Sequence, residues 1–345
     1  MMRAARAPVF LLLVEWLSAN CLAGSASGPV PPALLEQNNR MFERMQSELG
    51  YSPSEISEMK VIFQRSGFMG QGNPSVTKHP ATPEECQQKV KQAGVIHENS
   101  DSLKICGSKY MAPLYDPAKG EKPEDAKACI DQFEFPNIPC DYPVVWVRAK
   151  EAQEICAAVG KRMCDAHEWE GACDGRLTPP DYDFAGVKGL GDNDAVKKMR
   201  FAHNRKTSPE KRWAFGPEDK KGICAMNSTK DAACNGGNWR NCGSNTYPSG
   251  MFPECRSPLG VYDQHGNAAE HMNLPLAEDQ MTSRGSTKLG VTEMKGSWFI
   301  FDKFKAHPDW CRWRAPYWHG DKVMSANSHH NYHLGFRCCK TLPSK

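Results

Sequence analysis

Cysteine and histidine offer this chain its widest choice of chemistry. Fifteen cysteines in 345 residues would be a liability in a reducing compartment, so disulfides or metal thiolates are the first expectation. The spacing favours disulfides, because no paired C-x2-C knuckles of the zinc-cluster kind are present. Histidines gather near the C-terminus as His329, His330 and His333, with His265, His271, His307 and His319 elsewhere. His329 and His333 stand four apart, as two ligands on one helix face would, but Asn331-Tyr332 leads into an expected strand. No zincin-like signature accompanies them, so they read as exposed loop residues. The run Asp263-x-x-Gly266-x-Ala268-x-Glu270 sets two carboxylates around a Gly266-Asn267 step, and from the residues alone a tight turn explains it.

The elements that must position these groups are short. Arg3 and Arg6 precede an apolar run from Ala7 to Val14 that continues to Leu17. Small residues follow at Cys21-Leu22-Ala23 and Gly24-Ser25-Ala26. This is the anatomy of a signal peptide over residues 1–23, too short for a membrane span. Its removal takes Cys21 and leaves fourteen cysteines, an even number. Asn20 is a poor neighbour for a lipidated Cys21. Over residues 27–75, Leu34, Leu35, Met41, Phe42, Met45 and Leu49 recur at helical spacing and Gly50 stops them. Ser52-Pro53-Ser54-Glu55 has the form of a capping box before Ile56, Met59, Val61, Ile62 and Phe63. A short helical hairpin is expected there, then a Gly/Pro/Ser linker, then a domain over 84–345. Within that domain Ala149, Ala152, Ile155, Cys156 and Val159 share one helix face that Gly160 ends. Short apolar runs such as Pro143-Val144-Val145-Trp146-Val147 sit between turns elsewhere, which indicates an α+β class with little regular secondary structure.

The charge balance narrows function. With 43 basic against 40 acidic residues the formal charge is +3, and there is no polybasic run, so nucleic acid and anionic membrane surfaces are not expected partners. No segment after the leader is apolar enough to cross a bilayer. Asn227-Ser228-Thr229 is an N-glycosylation sequon.

Several segments then resemble, in order, the formylglycine-generating enzyme (sulfatase-modifying factor) family. They are Ile130 to Asn137, Pro143 to Val147, Gly160-Lys161-Arg162, His167-Glu168-Trp169-Glu170-Gly171-Ala172-Cys173, Leu259 to Glu270, Lys295-Gly296-Ser297-Trp298 and Leu334-Gly335-Phe336-Arg337-Cys338. The similarity spans about residues 125–340 and implies a C-type-lectin-like α+β core. Read without it, Trp169 and Phe336 are core anchors, Lys161-Arg162 a solvated helix end, and Glu168 and Glu170 partners for such cations.

The resemblance also implies a set of sites. The active family holds Cu(I) on two cysteines after the Gly-Gly-Ser segment, as soft thiolates would. Ile300 stands where the first is expected and Lys305 where the second falls, so copper and formylglycine generation are not expected. Calcium is expected at Asp263, Gly266, Ala268 and Glu270, two side chains and two carbonyls suited to a hard cation. Bridges are implied between Cys156 and Cys338 and between Cys173 and Cys311, with Cys164 and Cys339 beside them. Local pairing of the remainder would join Cys86 to Cys106, Cys129 to Cys140, Cys224 to Cys234 and Cys242 to Cys255. The leading reading is a secreted protein, periplasmic or extracellular, that binds a protein, peptide or glycan. A divergent metal-dependent oxidoreductase acting on a protein or small thiol, and a structural envelope-associated component docking through its hairpin, are the alternatives.

Overall fold

The computed structural model describes residues 30–315 and 321–343; the signal-peptide reading and His319 lie outside them. The chain opens with α1 (Pro32–Leu49) and α2 (Pro53–Ser66), joined by Gly50 in the left-handed region at φ 77°. The capping box forms as its sequence suggests: Glu55 N–H donates to Ser52 Oγ at 3.3 Å and Ser52 N–H to Glu55 Oε2 at 2.7 Å. Next come α3 (Pro83–Gln92), α4 (Ser100–Cys106), β1 (Met111–Leu114), β2 (Ala128–Asp131), α5 (Ala149–Ala158), β3 (Arg162–Met163) and α6 (Ala166–Asp174). The rest are α7 (Phe184–Val187), α8 (Asp192–Thr207), β4 (Ala269–Leu274), β5 (Val291–Lys295), β6 (Leu334–Gly335) and β7 (Cys338–Thr341). One sheet has the order β1-β2-β7-β3 and is antiparallel throughout; the other has the order β5-β4-β6, with β6 parallel to β4.

The hairpin shares a core with the domain. Met41, Phe42 and Met45 of α1 and Ile56, Met59, Ile62 and Phe63 of α2 pack with Phe135, Val147, Ile155 and Phe336. Isolated helices of this length are marginal in water, and this docking is what holds them. Residues beyond α2 are also tied down: Gly70 and Val145 exchange backbone hydrogen bonds, and Asn73 Nδ2 donates to the Trp239 carbonyl at 2.9 Å.

Disulfides join Cys156 to Cys338, Cys164 to Cys339 and Cys173 to Cys311 across 182, 175 and 138 residues. The local bridges differ from those expected. They are Cys86–Cys140, Cys106–Cys129, Cys224–Cys255 and Cys234–Cys242. The β1–β2 antiparallel pair brings Cys129 back beside the end of α4, where Cys106 waits, and α3 lays Cys86 over the loop of Cys140. Cys106–Cys129 and Cys234–Cys242 join consecutive cysteines, but Cys86–Cys140 and Cys224–Cys255 pass over others.

The core is unusually polar. Trp169 and Phe336 are buried, but so are Lys161, Glu168 and Glu170. Lys161 is no solvated helix end: its Nζ lies 2.6 Å from Asp131 Oδ1. Arg162 pairs with Glu168 at 2.7 Å, and Glu170 takes Arg314 at 2.9 Å and Lys295 at 3.1 Å. A buried charge persists only when paired in this way.

Candidate functional site

The turn before β4 sets the first candidate. Asp263 and Asn267 adopt φ 54° and Gly266 φ 81°. A Cβ on Gly266 would meet the Ala225 carbonyl oxygen at 2.6 Å, so only glycine fits there. The turn aims Asp263 and Glu270 inward beside Glu134, which follows β2, and Arg337, which precedes β7. Glu270 holds the guanidinium of Arg337 at 2.6 and 2.7 Å and accepts Trp169 Nε1–H at 2.8 Å. Glu134 accepts from Ala268 N–H, Asn267 Nδ2 and Ser249 Oγ, each at 2.8 Å. Asp263 Oδ2 accepts Gly250 N–H at 2.5 Å, while Oδ1 is buried without a partner.

Three buried carboxylates thus face one guanidinium. Burial, then the charges of Asp263 and Glu270, push the Glu134 carboxyl well above its usual range. Burial, with the Glu270 charge adding to it, raises Asp263 to about 7 against the opposing Gly250 hydrogen bond and Arg337. The cluster lacks positive charge, which a divalent cation or protons would supply. The orphaned Asp263 Oδ1 and the Gly266 and Ala268 carbonyls, on which no described hydrogen bond ends, fit a hard cation. Glu270 would have to share its oxygens with Arg337. Sequence reasoning included Glu134 in the Ile130–Asn137 segment that carries the family resemblance but gave it no role at this site.

The second candidate is a cleft of about 350 Å³ lined by Trp298, Ile300, Phe304, Tyr332, Lys230 and Lys303, with Ser228. Of the two positions at which the resemblance expects copper cysteines, Ile300 lines this cleft and Lys305 does not. Ile300 is buried in an apolar cluster with Trp298, Phe299, Phe301 and Tyr332. Lys303 Nζ donates to the Ser228 carbonyl at 2.9 Å, and Phe304 stands 61% exposed at the edge. Lys305 points to Asp219 and to Asp309, the latter at 3.9 Å. No cysteine lines this cleft, and Cys311 is bonded to Cys173. The chemistry on offer is apolar contact plus two ammonium groups.

The histidines are not the exposed loop residues expected. His265, His271, His307 and His333 are buried, and His329 and His330 are half-buried. A chain with so little regular structure must fill its interior with loops, and their side chains go with them. His271 is held between Thr292 Oγ1 at 2.8 Å and the Val147 carbonyl at 2.9 Å. Burial lowers His271 to about 4 and His330 to about 3, so both are neutral. His333 stacks on Trp298 with ring centroids 4.6 Å apart, and His307 on Trp313 at the same separation.

Comparison with known proteins agrees with this architecture. Residues 74–342 match the family model of the sulfatase-modifying factor enzyme 1-like domain, and the chain belongs to that family. Its fold is accordingly the disulfide-rich α+β core of formylglycine-generating-enzyme-like proteins, preceded here by helices. No curated protein matches the chain. Among solved structures, the crystal structure of CarF is similar at 12% identity with a TM-score of 0.34, covering 63% of this chain and 87% of that one. At that level the likeness bears on neither activity nor ligand.

Proposed function

We propose that this chain is an extracytoplasmic binding member of its family that generates no formylglycine. The observation that carries the reading is the pair Ile300, in the cleft wall, and Lys305, paired with Asp219, a hydrocarbon and an ammonium at the positions where the resemblance expects two copper thiolates. Without them the cleft has no soft ligand for Cu(I) and no means of activating oxygen there. Its Trp298, Ile300, Phe304 and Tyr332 walls with Lys230 and Lys303 suit an apolar side chain flanked by an acidic group, as on a peptide. Its seven disulfides fit an oxidising compartment, periplasmic or extracellular. Calcium is assigned a structural role beside Asp263, Gly266, Ala268 and Glu270, where it would neutralise the carboxylate excess.

The deciding experiment incubates the purified protein with a cysteine-containing sulfatase-type peptide, oxygen and copper, and follows the peptide by mass spectrometry. The peptide is expected to stay unmodified; conversion of its cysteine to formylglycine would overturn the reading. The alternative of a divergent metal-dependent oxidoreductase draws on the unpartnered His307 Nε2 and His333 Nδ1. Stoichiometric redox metal in the purified protein, lost on substituting either histidine, would favour it.

A further inference from the structure

The Cys173–Cys311 bridge has an unusual neighbour. His265, wholly buried, sets Nε2 3.2 Å from Cys173 Sγ and 3.8 Å from Cys311 Sγ. Among the described residues, these three are the group of His, Cys, Asp or Glu side chains whose ligand atoms lie close enough together to hold one metal ion. The Ala214 N–H donates to Nε2 at 3.0 Å, so Nε2 bears the lone pair and the ring proton sits on Nδ1. Nδ1 has no hydrogen-bond partner, and the nearest carboxylate oxygen is Asp309 Oδ2, 3.7 Å away. Asp309 is itself fixed, by Ser297 Oγ–H at 3.0 Å and Trp213 Nε1–H at 3.1 Å.

We infer that Cys173, Cys311 and His265 form a redox-gated site for a thiophilic divalent cation, zinc above all, closed while the disulfide stands and open once a dithiol has reduced it. The inference stands apart from the proposed binding role and does not use the cleft. The geometry is the argument. Zinc bonds of about 2.3 Å to sulfur and about 2.0–2.1 Å to nitrogen, at tetrahedral angles, put sulfur and nitrogen about 3.6 Å apart and the two sulfurs about 3.8 Å apart. The present sulfur–nitrogen separations of 3.2 and 3.8 Å already bracket that value. The sulfurs must part from their bonded 2.01 Å, and the Ala214 N–H must release Nε2 to the metal. Nε2 is the unprotonated nitrogen, its lone pair now accepting the Ala214 N–H, and Asp309 stands on the far side of the ring as carboxylates do behind metal-bound histidines.

The steps balance. A dithiol gives two electrons and two protons to the S–S bond, leaving two cysteine thiols and a cyclic disulfide of the reductant. The cation then displaces both thiol protons to solvent. Two thiolates, a neutral imidazole and a divalent cation sum to zero, the charge a buried site tolerates best. A cavity of about 680 Å³ lies beside the site, lined by Ala214, Phe215, Arg212 and Arg256, with the Phe215 ring 5.6 Å from His265.

The test uses the full chain, treated anaerobically with limiting dithiol, with opened bonds identified by differential alkylation and mass spectrometry. Co²⁺ is the probe, because thiolate ligation gives a sulfur-to-cobalt charge-transfer band. Protein reduced at Cys173–Cys311 is expected to take up Co²⁺ with that band, to shield both cysteines from alkylation, and to exchange the cobalt for zinc. Oxidised protein and C173S/C311S should show no such band. His265→Gln should weaken binding by about tenfold or more, and Asp309→Asn, which touches no metal, by about tenfold. Undiminished affinity in both variants, protection of other thiols only, or loss of near-ultraviolet circular dichroism on opening the bond before metal is added would each overturn the inference.

Discussion

Removing residues 30–75 is expected to unfold the protein, although the family match begins only at residue 74. The deleted segment carries Met41, Phe42, Met45, Ile56, Met59, Ile62, Phe63 and Met69, all buried in the cluster that contains Phe135, Val147, Ile155 and Phe336. At about 1.5–3 kcal/mol for each buried side chain, these eight represent roughly 12–24 kcal/mol. Part of that is contact inside the hairpin and part is already buried in the unfolded chain, so about 10 kcal/mol falls on the interface itself. Domains are stable by only about 5–15 kcal/mol. The Cys156–Cys338 bridge, which lies in the same cluster, remains and contributes about 4–5 kcal/mol nominally, which does not restore a comfortable margin. The assay compares the oxidised, purified parent and the 76–345 chain by near-ultraviolet circular dichroism and thermal unfolding. The short chain should show no cooperative transition. A milder cut, Phe63→Ala, should cost about 3–5 kcal/mol and lower Tm by about 6 °C in a chain of this size. A 76–345 chain melting cooperatively within about 5 °C of the parent would refute the reasoning and return the hairpin to the status of an appended arm.

The remaining predictions concern charge and metal. Calcium should raise Tm over a chelated control at pH 7.5, and Asp263→Asn should abolish that gain while stabilising the chelated protein, since it removes a buried charge. Because Asp263 is raised to about 7 when folded and burial is the main cause, the folded state binds the extra proton. In chelator, its contribution is therefore most favourable below about pH 4 and falls as pH rises to 7; a Tm that rises over that window in a manner abolished by Asp263→Asn would contradict this. Asp181 behaves oppositely. Burial would raise it, but the His203 hydrogen bond and the Arg314 guanidinium hold it down to about 2, so its stabilisation is present above pH 4 and lost as pH falls toward 2. Asp181→Asn should cost about 2 kcal/mol at pH 7 by chemical denaturation and almost nothing at the acid end. Finally, Ile300→Cys with Lys305→Cys should give the cleft a Cu(I) affinity that the parent lacks, measured by competition with a coloured chelator; equal affinity in both would count against the assigned register.

How much of this was legible depends on whether a residue's partner is local. The Ser52 capping box, the α5 face from Ala149 to Val159 and the turn at Gly266 are written in consecutive residues, and each forms. The placing of Ile300 and Lys305 rests on the register set by Ser297 and Trp298, which the copper-affinity prediction tests. The local disulfides could not, because Cys106 meets Cys129 only after β1 and β2 have paired. The role of Glu134 was hidden for a similar reason. Nothing between Phe133 and Phe135 announces that Asn267, Ala268 and Ser249, more than a hundred residues on, will converge on that carboxylate. The histidines misled because polar loops normally lie in water, whereas this fold turns its loops inward.

That inward turn has a thermodynamic counterpart. Lys161–Asp131, Arg314–Glu170, Lys295–Glu170 and Arg337–Glu270 are ion pairs almost wholly removed from solvent, and such pairs commonly stabilise less than apolar side chains of the same volume would. Sheets of two- to six-residue strands cannot make up the difference by backbone pairing alone. The disulfides act on the other side of the equilibrium: bridges closing loops of 182, 175 and 138 residues restrict the unfolded chain most where loops are longest. They allow a core this polar to persist, and a polar core can retain Asp263 with an unpartnered oxygen and His265 with an unpartnered Nδ1 beside a disulfide. The abundance of cysteine therefore bears on function indirectly. It does not supply the cleft at Ile300 with thiolates, but it underwrites the buried groups on which the proposed carboxylate and Cys173–His265–Cys311 sites rest.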